Sequence, residues 1–320
     1  MAGPGHLALV GVTASGKSAL AAALSDARPE AELVSMDSMA VYRHMDLGTA
    51  KPTPDEQARR RYHLLDLVDP AEEFTVRQFQ EAARRSLADI EQRHRRALLV
   101  GGTGLYLRAV VDDLDLPGRW PEVARCLESE ARDVGVPALH ARLASLDPTA
   151  AARIDPANGR RVVRALEVTI GAGRPFSSFG PGLAHYGPTV FALVGIPFDA
   201  GAVDQAIEQR LRRLMDEGLL DEVRRLAARP GGLSRTARQA LGYRELLGHL
   251  EQGVALDAAV EEAVRRTRAF ARRQWAWFRR DPRITWLDHS GDMAPQLLEK
   301  WDVAVSTVVR GRGEAAAVGD

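Results

Sequence analysis

The residues with the clearest chemistry lie near the start of the chain, in the segment LALVGVTASGKS. An apolar run at 7–10 leads into the spacing G-x-x-x-x-G-K-[ST], and an alanine-rich helical stretch follows at 19–24. A strand, a glycine loop and a helix in this order are typical of a phosphate-binding loop, because backbone N–H groups and the helix N-terminus converge on an anion. Lysine adds a positive charge, and the serine hydroxyl is a Mg2+ ligand. We therefore predict that a diphosphate or polyphosphate, of unspecified origin, is held by Gly11, Val12, Thr13, Ala14, Ser15, Gly16, Lys17 and Ser18.

Two further segments are predicted to reach the same edge of a sheet. Asp37 follows a short apolar strand at 32–36, and Thr103 lies in GGTGLY after the strand at 97–100. The carboxyl ends of parallel strands meet at the ligand side of an open sheet. Asp37 is therefore a candidate to hold a metal or to take a proton from a nucleophile. A kinase or hydrolase of this kind needs an acidic residue at the end of another strand, where this chain has glycines.

The elements that position these residues indicate an α/β fold, a P-loop NTPase-like parallel sheet flanked by helices with a small helical insertion domain. We predict a discontinuous core domain at 1–112 and 189–308, an insertion at 113–188 and a disordered tail at 309–320. The predicted strands and helices of the core include a strand at 62–66, one helix over 202–228 and a basic helix at 261–280. The aromatic residues at the end of that basic helix, Trp275, Trp277 and Phe278, are assigned to the core rather than to a base-stacking surface.

Composition places the chain among ordinary globular proteins. It has 320 residues, 45% hydrophobic and 27% charged, with 43 basic and 43 acidic side chains. The balanced net charge neither supports nor excludes a nucleic-acid partner. One cysteine excludes internal disulfides and multi-cysteine zinc sites. No apolar run approaches the about 20 residues of a membrane helix and no signal pattern begins the chain, so we expect a cytoplasmic protein with no membrane contact.

Several motifs in series resemble the tRNA dimethylallyltransferases. They are GVTASGKS, MDSMAVYRHMDLGTAKPT, YHLLDLVDP, VGGTGLYLRAV, RRVVRALEV, RQALGYRELL and RRTRAFARRQWAWFRR. They follow the family's order over about residues 7–287, and the second of them is the most specific. The chain lacks the C-terminal zinc-finger extension of eukaryotic members and so resembles the bacterial form.

The resemblance implies a reaction and its substrates. In that family the phosphate loop binds dimethylallyl diphosphate with Mg2+, and the prenyl group moves to the N6 amine of adenine 37 in tRNAs reading codons that begin with U. By resemblance, Asp37 takes the amine proton, Thr103 lies beside the reacting centre, and Lys17 and Arg210 stabilise the leaving diphosphate. Ser18 is the expected metal ligand. The family's usual arginine four residues before Arg210 is here Ala206, which removes one positive charge.

The resemblance also implies tRNA contacts, and we expect a monomer that binds the anticodon stem-loop through the core and the insertion. The predicted tRNA-binding residues are Asp37, Ser38, Met39, Ala40, Thr103, Arg125, Arg160, Arg161, Arg164, Arg238, Gln239, Gly242, Tyr243 and Arg244. The alternative for the arginines at 160, 161 and 164 is a solvated helix face. Arg125 rests on spacing alone rather than on a local motif.

Three other functions remain open from the sequence. An adenylate isopentenyltransferase acts on free AMP, ADP or ATP with a related core, although the insertion and the motifs RRVVRALEV and RQALGYRE favour a macromolecular acceptor. A small-molecule kinase and a non-catalytic RNA-binding protein are the others. The last gives Lys17 and Asp37 no role.

Overall fold

Two compact units make up the chain. The computed structural model describes the backbone of residues 5–316 and the side chains of residues 5–304. One unit comprises Met1–Val111 with Pro188–Asp320, and the other is Asp112–Gly187. The predicted limits of the insertion, 113 and 188, each lie one residue from these boundaries.

A six-stranded parallel sheet forms the centre of the larger unit, which confirms the predicted fold class. The strands are β1 (Leu7–Val10), β2 (Ala31–Ser35), β3 (Tyr62–His63), β4 (Arg96–Gly101), β5 (Ala192–Gly195) and β6 (Thr285–Trp286). Their order is β3-β2-β4-β1-β5-β6. The chain crosses from one side of β1 to the other between β4 and β5, and ligands bind at such a reversal in open α/β sheets.

Thirteen helices are found among residues 5–316. Nine belong to the larger unit: α1 (Lys17–Ala27), α2 (Pro54–Arg59), α3 (Val76–Gln92), α4 (Gly104–Val111), α9 (Ala200–Asp216), α10 (Leu219–Ala227), α11 (Tyr243–Gln252), α12 (Leu256–Phe278) and α13 (Met293–Ala316). The smaller unit holds the other four: α5 (Pro121–Val134), α6 (Val136–Leu146), α7 (Pro148–Arg153) and α8 (Gly159–Ala172). In this part of the chain no helix combines the length and apolarity required to cross a bilayer.

Both faces of the sheet are buried, as the continuous apolar strands predict. Leu7 and Leu9 of β1 point into one cluster with Leu33 and Leu98. The alternate residues of the same strands, including Val10, enter the second cluster. Burial on both faces fixes the register of β1, and with it the starting point of the phosphate loop.

The sequence misplaces the ends of some elements. The predicted helix over 202–228 is two helices, because Gly218 adopts a left-handed φ of 97° between them. The strand predicted at 62–66 ends at His63, since Leu64 and Asp66 have φ values of 64° and 55°. Helix α13 continues to Ala316, so the predicted disordered tail is helical from 309 to 316, and residues 317–320 lie outside the described residues.

The smaller unit has its own apolar core. Leu127, Leu139, Leu143, Val162 and Leu166 are buried together where its four helices meet. Asn158 caps α8 by accepting a hydrogen bond from the Arg161 amide at 3.2 Å. The cap and the core make this segment a folded helical unit rather than a long loop.

Candidate active site at the phosphate loop

The phosphate loop joins β1 to α1 as the motif predicts. Gly16 precedes the helix with a φ of 85°, and Ala14 also lies in the left-handed region at 60°. Helix α1 has no side-chain cap and no acidic residue in its first turn. The backbone N–H groups at this helix end are therefore not used by a local side chain, which suits an anion.

Lys17 folds back over the loop. Its ammonium group donates a hydrogen bond to the Val12 carbonyl. Burial lowers the pKa of Lys17 to about 7, while the Asp37 carboxylate raises it and the Arg210 guanidinium lowers it further. The charge of the lysine therefore depends on burial and on two groups that the sequence assigns to catalysis.

Asp37 stands just past the end of β2. Its Oδ1 accepts hydrogen bonds from the backbone amides of Met39 at 2.7 Å and Ala40 at 3.4 Å. These bonds fix the carboxylate while Oδ2 accepts no hydrogen bond from the described residues. A carboxylate with one oxygen anchored and one open is arranged to accept a proton.

Thr103 is held against the same turn. Its Oγ1 accepts from the Ser38 amide at 3.4 Å, and its own amide donates to the Met36 carbonyl at 3.4 Å. A Cβ at Gly101 would lie 2.3 Å from the Met36 carbonyl oxygen, so only glycine permits this approach. The ends of β2 and β4 therefore bring the hydroxyl of Thr103 beside the Asp37 turn.

Arg210 reaches the site from α9. It donates to the Gly48 carbonyl at 3.4 Å. Burial lowers the pKa of its guanidinium, and the nearby Asp37 opposes that change. The two predicted cations, Lys17 and Arg210, thus share one carboxylate as their electrostatic neighbour.

A cavity of about 410 Å³ opens between the phosphate loop and α9. The loop contributes Ala14 and Gly16, and the helix contributes residues spaced at i, i+3, i+4 and i+7 from one face. These helix residues are Ala206, Gln209, Arg210 and Arg213. Position 206 is alanine in this chain, so the arginines that line the cavity are Arg210 and Arg213.

The long loop after β2 is held by one buried lysine and two exposed carboxylates. Lys51, whose side chain is 2% exposed, donates to the Tyr42 carbonyl and to the carboxylates of Asp46 at 2.8 Å and Asp66 at 2.6 Å. Tyr42 itself is fully buried. The lysine of the DSM-to-GTAKPT segment therefore holds this loop in place by bonds within the protein.

Glu222 fixes the part of this loop that meets Arg210. It accepts from the amides of Asp46 at 3.2 Å and Leu47 at 3.0 Å, and from the Tyr243 hydroxyl at 2.5 Å. Tyr243 is completely buried, and its ring fills the space that a Cβ at Gly48 would need. The Tyr243 side chain therefore supports the loop from inside, and its predicted contact with tRNA stays a prediction.

Other predicted tRNA-binding residues of the larger unit divide by exposure. Ala40 and Gly242 are buried, whereas Ser38 and Met39 are partly exposed beside Asp37. The remaining three lie at the RQALGYRE motif, where Arg238 pairs with Glu251 and Arg244 donates to Gln239 at 3.1 Å. Gln239 and Arg244 are exposed.

The predicted arginines of the smaller unit include exposed residues and one that bonds within the unit. Arg160 and Arg161 are exposed on α8. Arg164 instead donates to the carbonyls of Pro117 at 3.1 Å and Gly118 at 2.8 Å and pairs with Glu167, so the helical unit itself uses its guanidinium. Arg125 pairs with the acidic residue one turn earlier on α5 and is exposed.

One residue at the site was missed by the sequence reasoning. Gln274 on α12 is 7% exposed; its Oε1 accepts from the Thr13 amide at 2.8 Å and its Nε2 donates to the Gly102 carbonyl at 2.9 Å. The available signal was its spacing, since Ala271 and Phe278 occupy the same buried helix face. Phe278 is buried in the core, whereas Trp275 and Trp277 are partly buried and pack against apolar clusters, Trp275 also contacting Phe198 and Trp286.

The chain is similar to known proteins along most of its length. Residues 40–281 match the family model described as IPP transferase. A tRNA dimethylallyltransferase of Salinispora tropica is 47% identical over 283 residues, covering 88% of both chains. One of Kineococcus radiotolerans is 47% identical over 309 residues, covering 93% of this chain and 96% of the relative.

Solved structures share the architecture. The full-length tRNA isopentenylpyrophosphate transferase of Bacillus halodurans superposes with a TM-score of 0.69 at 34% identity, covering 97% of this chain and 98% of its own. A eukaryotic dimethylallyltransferase acting on tRNA reaches a TM-score of 0.73 at 24% identity, covering 94% of this chain and 76% of its own, and supports the fold alone. The family model and the close relatives together establish that the chain belongs to the IPP transferase family.

Proposed function

We propose that this protein transfers a dimethylallyl group from dimethylallyl diphosphate to the N6 amine of adenine 37 in tRNAs reading codons that begin with U. The products are N6-dimethylallyladenosine and diphosphate. The observation that carries the proposal is the cavity between the phosphate loop and Arg210, together with the anchored Asp37 carboxylate, which acts electrostatically on both Lys17 and Arg210. A base for the acceptor and cations for the leaving group thus share one site.

The chemistry needs both halves of this arrangement. The N6 lone pair forms a bond to the allylic carbon, the carbon–oxygen bond breaks, and the electron pair leaves with the diphosphate. Asp37 takes the proton lost by N6, because its Oδ1 is anchored and its other oxygen is open. Lys17, Arg210 and the loop amides stabilise the charge that develops on the diphosphate.

Mg2+ is proposed as the metal that accompanies the diphosphate. Among the described residues no group of three or more His, Cys, Asp or Glu side chains is arranged to hold a metal. Ser18 is exposed in the first turn of α1 and offers one oxygen. This donor set fits Mg2+, which keeps several waters and binds mainly through substrate phosphates. When bound, the ion neutralises leaving-group charge.

The acceptor is proposed to be a tRNA rather than a free nucleotide. The close relatives carry the name tRNA dimethylallyltransferase, and their names do not favour free AMP. Among the predicted residues, the proposed RNA contacts are the exposed Arg125, Arg160, Arg161, Gln239 and Arg244 and the partly exposed Ser38, Met39 and Arg238. The adenine must leave the anticodon stack to react, which costs a few kcal/mol. We also propose that the protein works as a monomer in the cytoplasm, where its tRNA acceptor is modified.

Mass spectrometry of nucleosides tests the proposal. Purified protein is incubated with dimethylallyl diphosphate, Mg2+ and either unmodified tRNA or AMP. We expect a mass increase of one dimethylallyl group on adenosine 37 of the tRNA, and none in tRNA with guanosine at that position. Prenylated AMP with unmodified tRNA would instead establish the free-nucleotide activity, and ATP-dependent phosphorylation without prenyl transfer would establish a kinase.

A further inference from the structure

One buried amide side chain connects two loops that are distant in sequence. Gln274 accepts a hydrogen bond from the Thr13 amide, 261 residues earlier, and donates one to the Gly102 carbonyl, 172 residues earlier. Thr13 belongs to the phosphate loop, and Gly102 directly precedes Thr103. The side chain therefore bridges the loop proposed to hold the diphosphate and the loop beside Asp37.

The bridge needs a group that accepts and donates at once. The Oε1 of Gln274 receives an N–H, while its Nε2 gives one to a carbonyl. A neutral amide does both, an ionised carboxylate only accepts, and an apolar side chain does neither. Because the side chain is 7% exposed, water does not readily replace either bond.

The glycine loop is shaped to receive α12. A Cβ at Gly102 would lie 2.2 Å from Nε2 of Gln274. Trp277 follows Gln274 on α12 by about one helical turn. A Cβ at Gly104 would lie 2.3 Å from the Trp277 ring. Two glycines thus admit two side chains from the same face of α12, so the helix docks on this loop by contact with its backbone.

We propose that Gln274 is a positioning residue that holds the phosphate loop in register with the Thr103 loop. Its bond to Thr13 satisfies one loop amide inside the protein and leaves the amides at the start of α1 for the ligand. Its bond to Gly102 keeps Thr103 at a constant distance from that ligand. The proposal rests on the proposed function, since it assigns the two loops to the leaving group and to the reacting centre.

Removal of the bridge is expected to affect the chemical step more than tRNA binding. A displacement of about 1 Å between reacting groups costs about 100-fold in rate, so we expect Gln274→Met to lower kcat by about 10- to 100-fold. The KM for tRNA is expected to stay within about twofold, because neither bond involves an exposed surface.

The variant Gln274→Glu separates positioning from simple support of the fold. A protonated carboxyl group accepts through its carbonyl oxygen and donates through its hydroxyl, as the amide does. The ionised form loses the donor to Gly102 and places negative charge beside the phosphate loop. We expect the ratio of variant to wild-type kcat to fall with rising pH, by about tenfold per unit above the pKa of the new carboxyl group.

A second buried glutamine supplies the matched control. Gln80 on α3 is 3% exposed, and its Nε2 donates to the Ala109 carbonyl at 2.7 Å. We expect Gln80→Glu to lower the melting temperature but to leave the kcat ratio independent of pH. A pH-independent ratio for folded Gln274→Glu, equal to that of the control, would overturn the positioning role.

Two further measurements keep the inference testable if the glutamate variant does not fold. Gly102→Ala breaks the bridge from the other side, so its effect on kcat combined with Gln274→Met is expected to be less than additive; full additivity contradicts the bridge. Amide hydrogen exchange of Gln274→Met is expected to be faster in peptides covering 11–16 and 101–104. Unchanged exchange would overturn the inference about Gln274, even if the wild-type protein transfers prenyl groups. If the wild-type protein does not transfer prenyl groups to tRNA, only the proposed function is overturned.

Discussion

The lowered pKa of Lys17 predicts that binding of the diphosphate takes up a proton. Burial brings the pKa of the free site to about 7. At pH 8 about one tenth of the molecules therefore carry the charged ammonium. A bound diphosphate favours the charged form, so we expect uptake of about 0.9 proton per ligand at pH 8. The affinity is expected to fall by about tenfold per pH unit above 7.

Calorimetry measures this proton directly. Dimethylallyl diphosphate is titrated into the protein without tRNA at pH 6 and pH 8, in two buffers of different ionisation enthalpy. The dependence of the heat on the buffer gives the number of protons. At pH 6 the lysine is already charged, so we expect its contribution to be about 0.1 proton.

Lys17→Arg is the matched control. Arginine keeps the positive charge but stays protonated throughout this pH range, so the variant reports only the titration of the ligand and the other groups. The difference between wild type and variant at pH 8 isolates Lys17. Equal proton uptake by both proteins would contradict the role of Lys17, because another group would then carry the proton.

Three other predictions concern neighbouring groups. Asp37→Asn is expected to reduce the single-turnover rate of prenyl transfer by about 10²- to 10⁴-fold, and a wild-type rate would exclude it as the base. Arg213→Ala, on the cavity face of α9, is expected to weaken dimethylallyl diphosphate binding by about two- to fivefold in a salt-dependent manner, whereas Arg212→Ala is expected to have no effect in the same titration. Tyr243→Phe is expected to reduce the free energy of unfolding by about 1–3 kcal/mol in urea titrations, because Glu222 loses a buried donor; an unchanged value would contradict that role.

Local sequence patterns predicted the fold class and the residues at the centre of the site. The apolar runs of β1 and β4 predicted buried parallel strands because both faces of a parallel sheet are covered by helices. The glycine loop predicted an anion site because its conformation depends on residues next to one another. The insertion was placed to within one residue, since it interrupts the core between two such strands.

The sequence did not predict the roles of residues for which the buried face of a helix matters. Tyr243 and Arg164 both lie in motifs assigned to tRNA, yet one is buried against Glu222 and the other bonds to carbonyls of its own unit. A tyrosine and an arginine at these positions of a helix would equally suit an exposed contact with RNA. Burial follows from packing against elements far away in the chain, which a local pattern does not contain.

The sequence alone predicted an anion-binding loop and a carboxylate at the edge of a parallel sheet, because each part is encoded within a few adjacent residues. The lowered pKa of Lys17 and the bridge made by Gln274 depend on the folded chain. The first depends on desolvation and on the charges of Asp37, just past β2, and Arg210 on α9, and the second joins residues 261 positions apart. Both arise where long-range packing excludes water, and that exclusion gives the polar groups their strength.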